Sequence, residues 1–576
     1  MGNSLNDSGA REHPFTAVAG EGAVPPGAKR WLGPWTAPLL VLPSLAWVLS
    51  GRTVFWWDQA WYADATVSLW SVLAERPGSW PAANLDAFEI KAPGIGWLGQ
   101  FFVPLGQLGG DIDIALLVFV VLTMALVLML VHRLAAFGGA SSPAAWAGTL
   151  SIAASPLFVS LSTQYLVEGL QTLAIAYVFW IAVASTRWSA ARTGGHLALA
   201  SALALAAKAS SPMYCAIPWS VAAFHGIRAL RRRPVDDSVK AGGWTILGIG
   251  SLALAATGAW YAHHLAQLAT FVRLAASGDA AQYYGTAQPF LDKLGVWVTA
   301  LGREFAVPEA LGACAIIIAL SILWPCLRHR GTRDRLRPPR IDARRLLLCG
   351  AAFQILLVLA IFSLNVNEDP RYLLPLAAPL AMLVAASAAM LTRPARLALL
   401  LVLAAEWGYV QADATALVPA DARLFHYLHP QADAASKREE LTRLEATSCE
   451  PESRSRWRMV GVDIAWLNLA TLNYYSAKAA LRRGFRCSYA NLGWAERDVR
   501  NALTRVEELN PPFFIALSVP DGIPDDPFNR VALPVLETIR NDPNWTRVPF
   551  ETRFDVLVMK SRAPPDRTGR ADDSDR

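Results

Sequence analysis

The chain is poor in charge. Only 17% of its 576 residues are Asp, Glu, Lys or Arg, while 54% are hydrophobic; a typical soluble domain carries about 25% charged residues. That shortage excludes an ordinary soluble protein and points to an integral membrane protein. Lysine is scarcer still, with eight lysines against 44 arginines. The arginines gather in short loops between apolar runs, which is the pattern of membrane topology, so no nucleic-acid partner is expected. There is no Walker A sequence and no glycine-rich loop opening a helix, so nothing marks a nucleotide site. The first long apolar run lacks a small-residue cleavage site and reads as a retained helix. Six cysteines are present. Cys215, Cys314, Cys326 and Cys349 fall in apolar runs, whereas Cys449 and Cys487 lie in a more polar C-terminal segment.

What the chain has in quantity is apolar runs. A hydrocarbon core about 30 Å thick takes roughly 20 residues per helix. Candidate spans are Gly33–Ser50, Ile112–Val131, Pro143–Leu161, Leu166–Ala184, His196–Ala207, Pro212–Leu230, Gly243–Tyr261, Val307–Leu327, Leu346–Leu364, Leu373–Leu391 and Leu397–Val410. The loops alternate in basic content. One set (His132–Ser142, Thr186–Gly195, Gly226–Gly242, Arg328–Arg345 and Leu391–Arg396) holds 18 Lys and Arg. The other set is about twice as long and holds roughly half as many, so the first set is cytoplasmic by the positive-inside rule. The N-terminus is then cytoplasmic, and an odd span count puts the C-terminal segment outside. The expected architecture is a polytopic α-helical membrane protein of about eleven transmembrane helices with a C-terminal extracytoplasmic α/β domain. Residues 1–30 read as a disordered cytoplasmic N-terminus, 31–410 as the transmembrane domain, 411–563 as the outer domain and 564–576 as a disordered tail.

The outer loops collect ionisable and aromatic residues: Asp58, Tyr62 and Asp64 in "FWWDQAWYADA", Glu89 and Lys91 in "FEIKAPGIGW", Glu168 in "STQYLVEGLQ", Lys208 in "LAAKASSP", His263 and His264 in "WYAHH", and Arg371 and Tyr372 in "NVNEDPRYLLPL". Singly, each could be a solvated loop acid, a snorkelling lysine or part of an interfacial aromatic belt. Together, carboxylates and cations on one side predict an outward cavity that binds an anion and performs acid–base chemistry.

Several of these stretches resemble the GT-C glycosyltransferases. Asp58, Tyr62 and Asp64 match the acidic first-loop signature, and "KAPGIGWLGQFFVPLG" is similar to the Lys-Pro-Pro stretch and the helix after it. Glu168 falls where the family keeps a second acid. "ALALAAKASSP" resembles its run ending in Thr-Lys, and "NEDPRYLLPLAAPLAML" its Arg-Tyr-x-x-Pro signature. The branch it resembles contains protein O-mannosyltransferases and lipid A aminoarabinose transferases. Three positions depart: Gln59 stands where the family often has Glu, Ala92 where it has the first Pro of Lys-Pro-Pro, and Ile90 where the aminoarabinose branch has a metal-binding Glu.

The resemblance implies a polyprenyl-phosphate-linked sugar donor, a glycan, lipid or protein acceptor, and inverting transfer at the outer face of a bacterial cytoplasmic membrane. It makes Asp58 the base and Glu168 a partner that orients the acceptor or shares a cation with Asp58. Lys91, Lys208 and Arg371 would hold the lipid phosphate, with Tyr62 and Tyr372 at its entrance. No cofactor is certain. A divalent metal ion, held by Glu89 and His263, is the candidate; neighbouring histidines on a helix point about 100° apart, so His263 and His264 do not form one site.

In the C-terminal segment, "RWRMVGVDI", "PPFFIALSV" and "FDVLVMK" read as strands, and Asn468–Arg483, Ala495–Leu509 and Arg530–Arg540 as helices, which suggests a small doubly wound sheet. Outside the cytoplasm disulfides persist, so a Cys449–Cys487 bond is expected. Its 38-residue loop corresponds to about 3–4 kcal/mol of stabilisation in the chain-entropy picture. The rival readings are an envelope lipid or glycan transporter or flippase, and an inactive envelope scaffold. Transporters place their ionisable residues near the midplane, whereas these lie at helix ends.

Overall fold

The computed structural model describes residues 32–51, 55–139, 141–230, 237–277, 285–317, 343–415, 433–493 and 495–562. The termini expected to be disordered, Cys326 and most of the arginine-rich loop 328–345 lie outside the described residues.

Every apolar run is helical where described, but the helices differ in length from the runs. Ile112–Gly139, Gly242–His263, Arg344–Ser363, Pro370–Met390 and Arg393–Ala414 are long and apolar enough to cross a membrane. Gly33–Leu49, Glu168–Ala184 and Pro308–Ile317 are shorter apolar helices. The expected span Pro143–Leu161 is broken into Ser142–Ala153 and Pro156–Leu161. The break has a local cause. Pro156 has no N–H to continue the first helix, and the Ser155 hydroxyl caps the second by accepting from the Phe158 N–H at 3.2 Å.

The 28-residue helix Ile112–Gly139 is about 42 Å long at 1.5 Å per residue. It packs against Ser142–Ala153, Glu168–Ala184 and Ala377–Met390. With no apolar driving force between helices in lipid, close backbone approach matters. A Cβ on Gly138 or Gly148 would lie 2.5 or 2.4 Å from the Met382 or Ala381 carbonyl oxygen.

The C-terminal domain is built on five strands: β1 (Arg458–Val460), β2 (Tyr489–Asn491), β3 (Phe513–Leu517), β4 (Trp545–Arg547) and β5 (Val556–Ser561). Their order is β2-β1-β3-β5-β4. β1 is parallel to β2 and β3, β5 is antiparallel to β3, and β4 is antiparallel to β5. Side chains alternate between faces, as the strand repeat of two requires. Met459, Phe514, Ala516, Leu557 and Met559 pack under Val499–Leu509 and Ala532–Asn541. Val460, Phe513, Ile515, Leu517, Val556 and Val558 join the core that holds Ala434–Ser448, Leu469–Arg483 and the membrane helices. Helices cover both faces, as expected of a doubly wound sheet, and the β4–β5 hairpin adds an antiparallel edge. Cys449 and Cys487 are disulfide-bonded.

This domain is docked. Leu469–Arg483 packs along Trp57–Glu75, the helix that carries Asp58. Phe55 is stacked between Tyr165 and Tyr474, with ring centroids 5.8 and 5.2 Å away. Arg486 bonds to Asp64 at 2.9 Å and to the Ser68 hydroxyl at 2.7 Å.

Candidate active site

Five separate stretches of chain supply the site. Asp58 lies in the first turn of Trp57–Glu75, where a carboxylate is favoured by the helix dipole. Lys91 follows a turn in which Phe88 and Glu89 both have positive φ, 73° and 42°. Glu168 opens Glu168–Ala184, and Lys208 closes Ala190–Ala207. Arg371 lies in a 3₁₀ turn, Pro370–Leu376, whose N-cap Asp369 accepts from the Arg371 N–H at 3.1 Å. Proline at the first position suits that cap because its missing N–H is not needed there.

Glycine brings the two lysine-bearing stretches together. A Cβ on Gly94 would lie 2.7 Å from the Ala206 carbonyl oxygen. Only glycine therefore lets the chain after Lys91 meet the end of the helix before Lys208.

The charged side chains form one continuous network. Lys91 pairs with Asp58. Arg371 Nη2 donates to Asp58 Oδ2 at 3.2 Å, and its Nε lies 2.6 Å from Asp369 Oδ2 and 3.6 Å from Glu168 Oε1. Lys208 Nζ donates to Glu168 Oε1 at 2.8 Å and sits 3.8 Å from the centre of the Tyr372 ring. Arg371 is thus shared by the two acids proposed from the sequence. Three carboxylates (Asp58, Glu168 and Asp369) face three cations (Lys91, Lys208 and Arg371), so the cluster is neutral as it stands.

The acids are not equivalent. The Asp58 side chain is 33% exposed, and that of Glu168 is 1% exposed; of these two, Asp58 is the one that can meet a molecule arriving from solvent without rearrangement. Burial pushes the Asp58 carboxyl up, but the Lys91 and Arg371 charges outweigh it and hold the group well below the usual carboxylate range. Glu168 Oε2 is buried without a hydrogen-bond partner among the described residues.

The remaining sequence-derived residues divide. Tyr62 is 6% exposed, packs on Phe88 and lies beneath Lys91, whose ammonium is 5.2 Å from its ring centre. Tyr372 joins the cluster through Lys208, and its carbonyl accepts from the Tyr214 hydroxyl at 2.6 Å. Asp64 is turned to the C-terminal domain and Arg486. Gln59 fastens the chain before Glu168, accepting from the Tyr165 N–H at 3.1 Å. Glu89 is exposed, and His263 bonds to Asp86 Oδ1 at 2.9 Å. Among the described residues no three His, Cys, Asp or Glu side chains gather as a metal site.

The sequence alone assigns no role to Asp369, Trp61 or Tyr214. Asp369 stands inside a quoted motif, two residues before Arg371, and could have been assigned from its capping position. Trp61, whose ring centre lies 4.3 Å from Lys91 Nζ, was hidden among neighbouring aromatics.

Comparison with known proteins gives matches in structure only. No protein-family model and no curated protein matches the sequence. The structure resembles the crystal structure of ArnT from Cupriavidus metallidurans bound to undecaprenyl phosphate, at 13% identity and TM-score 0.54, over 94% of this chain and 100% of that one. The apo structure of the same protein gives 12% identity and TM-score 0.54, over 92% and 98%. The arabinofuranosyltransferase AftD from Mycobacteria gives 14% identity and TM-score 0.49, over 93% of this chain and 40% of that one. At such identity the likeness is one of fold, and it extends over the whole length of ArnT. The resemblance read from five short stretches is met by a likeness of fold: the chain is built like ArnT.

Proposed function

We propose that the protein is a membrane glycosyltransferase that moves a sugar from a polyprenyl-phosphate donor to an acceptor hydroxyl at the outer membrane face, with inversion and with Asp58 as the base. The observation that carries this reading is the neutral cluster in which Arg371 is shared by Asp58 and Glu168. ArnT, of the same fold, has been seen with undecaprenyl phosphate bound, which supports a lipid phosphate as the carrier. The Cys449–Cys487 bond supports an outer domain facing an oxidising compartment.

The chemistry follows from the charges. In the resting protein Asp58 is a poor base because two cations hold it ionised. A donor phosphodiester brings one negative charge and competes for Lys91 and Arg371, whose N–H groups suit phosphate oxygens. As they turn to the phosphate, Asp58 loses its partners and becomes more basic. The acceptor oxygen then attacks the anomeric carbon from the face opposite the phosphate. Its proton passes to Asp58, and the sugar–oxygen bond to phosphate breaks. The phosphate leaves as a monoester with one more negative charge, which Lys91, Arg371 and Lys208 stabilise. Glu168 stays beneath Arg371 and Lys208 and keeps them in place.

The test is to incubate purified protein in lipid nanodiscs with a panel of undecaprenyl-phosphate sugars and an envelope glycan extract, and to follow release of undecaprenyl phosphate. Release from at least one donor, lost in Asp58→Asn, is expected. A panel that neither turns over nor stabilises the protein thermally would overturn the reading and favour a transporter.

A further inference from the structure

One contact of the outer domain reaches the residue beside the base. Trp57 immediately precedes Asp58, and its indole N–H donates to Asp463 Oδ1 at 2.9 Å, across 406 residues of chain. Trp57 has φ +32°, in the left-handed region that bulky side chains rarely enter, and it is 42% exposed. A tryptophan of an interfacial belt offers its N–H to headgroups and water. Here that N–H is engaged by the outer domain, and what Trp57 presents is its ring face.

Asp463 is fixed from behind. Its N–H donates to Asn529 Oδ1 at 2.7 Å, and its carbonyl accepts from Asn529 Nδ2 at 2.8 Å. Buried Asn529 is held in turn by the Asp526 carboxylate. Asp463 Oδ2 has no partner among the described residues.

Asp463 also stands at a distinctive place in the sheet. It lies just past the carboxyl end of β1, and β1 is flanked by β2 on one side and β3 on the other, both parallel to it. The chain leaves β1 towards one neighbour and returns to the other, so a crevice opens where the strand order reverses, which is where open α/β sheets bind ligands. Burial pushes the Asp463 carboxyl up to about 6; the Trp57 bond opposes this, and the nearby Asp526 charge adds to it.

The geometry points to an acceptor subsite in which the Trp57 ring and the Asp463 carboxylate hold a neutral, hydroxyl-rich sugar beside Asp58. The indole face packs on the C–H face of a sugar ring, and Asp463 Oδ2 accepts from its hydroxyls. Asp463 and Asp526 together repel a uronate or a phosphorylated sugar, because like charges brought together without partners are costly. The inference rests on the transferase reading and names the class of acceptor: an uncharged glycan.

The test measures acceptor binding without turnover. Saturation-transfer NMR is recorded on the full chain in nanodiscs with methyl glycosides of neutral hexoses and with methyl glucuronoside. A neutral glycoside should bind the wild type, and the glucuronoside should bind less. Asp463→Asn keeps an oxygen for Trp57 and removes the charge, and should weaken binding about tenfold, the loss of one charge-assisted hydrogen bond. Trp57→Ala should abolish binding, while Trp57→Phe, which keeps a ring, should retain part of it. Undecaprenyl phosphate should stabilise wild type and all three variants alike, which also shows that they are folded. Equal glycoside binding by wild type and variants, tighter binding of the glucuronoside, or no glycoside binding by folded wild type would each overturn the subsite. Failure of undecaprenyl phosphate to bind the wild type would instead overturn the transferase reading.

Discussion

The Asp58 cluster and the Asp113 cluster are made of the same ingredients and sit at the same end of the membrane helices. In the second, Asp111 and Asp113 at the start of Ile112–Gly139 meet Arg438 and Lys478 of the C-terminal domain. Arg438 lies 2.6 Å from Asp111 and Lys478 lies 2.8 Å from Asp113, with the buried Tyr474 hydroxyl also donating to Asp113. Both clusters balance their charges. They differ in ownership rather than in access. Asp58 is a third exposed and Asp113 1% exposed, but Asp111 is 20% exposed and Glu168 1%. All members of the Asp58 cluster come from the membrane domain, while the Asp113 cluster is divided between domains. A cluster with partners on two domains fastens them together. A cluster held within one domain, whose cations can exchange a carboxylate for a phosphate, is suited to chemistry. Ionisable residues at a helix end therefore mark function only when they are not spent on joining two domains.

The comparison breaks most visibly at Asp58. Asp58→Asn keeps the shape and removes the proton acceptor, so sugar transfer should fall by roughly 10²–10⁴. Undecaprenyl phosphate should bind as well as before or better, because Lys91 and Arg371 no longer have Asp58 to leave. Transfer at the wild-type rate would move the base to another residue.

Asp113→Ala should do the reverse. It leaves Lys478 and Arg438 without their buried partner and should destabilise the docked protein by about 3–5 kcal/mol, read by chemical or thermal unfolding. Transfer per folded molecule should change little. A large loss of turnover in fully folded protein would show that the Asp113 cluster also serves the reaction.

Lys91→Ala sharpens the same contrast from the donor side. Loss of a charged contact to phosphate, about 1.5–3 kcal/mol, should weaken undecaprenyl phosphate binding by roughly ten- to a hundredfold in a thermal-shift titration. Lys478→Ala should leave that affinity unchanged.

The smallest expected effect concerns pH. Asp463 is raised from 3.8 to about 6 in the folded protein, so the folded state keeps a proton that the unfolded chain has lost. Its contribution to stability should decline as pH rises from about 4 to about 6 and be level above that. Asp463→Asn should remove this part of the slope in unfolding measured across that range. An unchanged slope would mean that Asp463 titrates normally.

The Asp58 cluster was legible, apart from Asp369, because its members are ionisable residues near the ends of apolar runs, where charge is rare and costly. Lys91, Glu168, Lys208 and Arg371 stood out against leucine and alanine. Asp463 did not, since a carboxylate in a soluble segment is unremarkable until the fold brings it to Trp57. The same limit hid the Asp113 cluster, half of which lies in the C-terminal domain. Among the elements, the break at Ser155–Pro156 was written in the sequence as a serine cap before proline but was masked by the apolar run on either side. β2 and β4, three residues each, are too short to show a repeat. Pairing with β1 and β5 defines them, and pairing is a property of the sheet.

The most direct test of the exchange mechanism is an electron cryomicroscopy structure of the protein in nanodiscs with undecaprenyl phosphate. The account predicts the phosphate in contact with Lys91 and Arg371, both drawn off Asp58, with Glu168 still paired to Lys208. A phosphate bound elsewhere, with the Lys91–Asp58 pair intact, would contradict it.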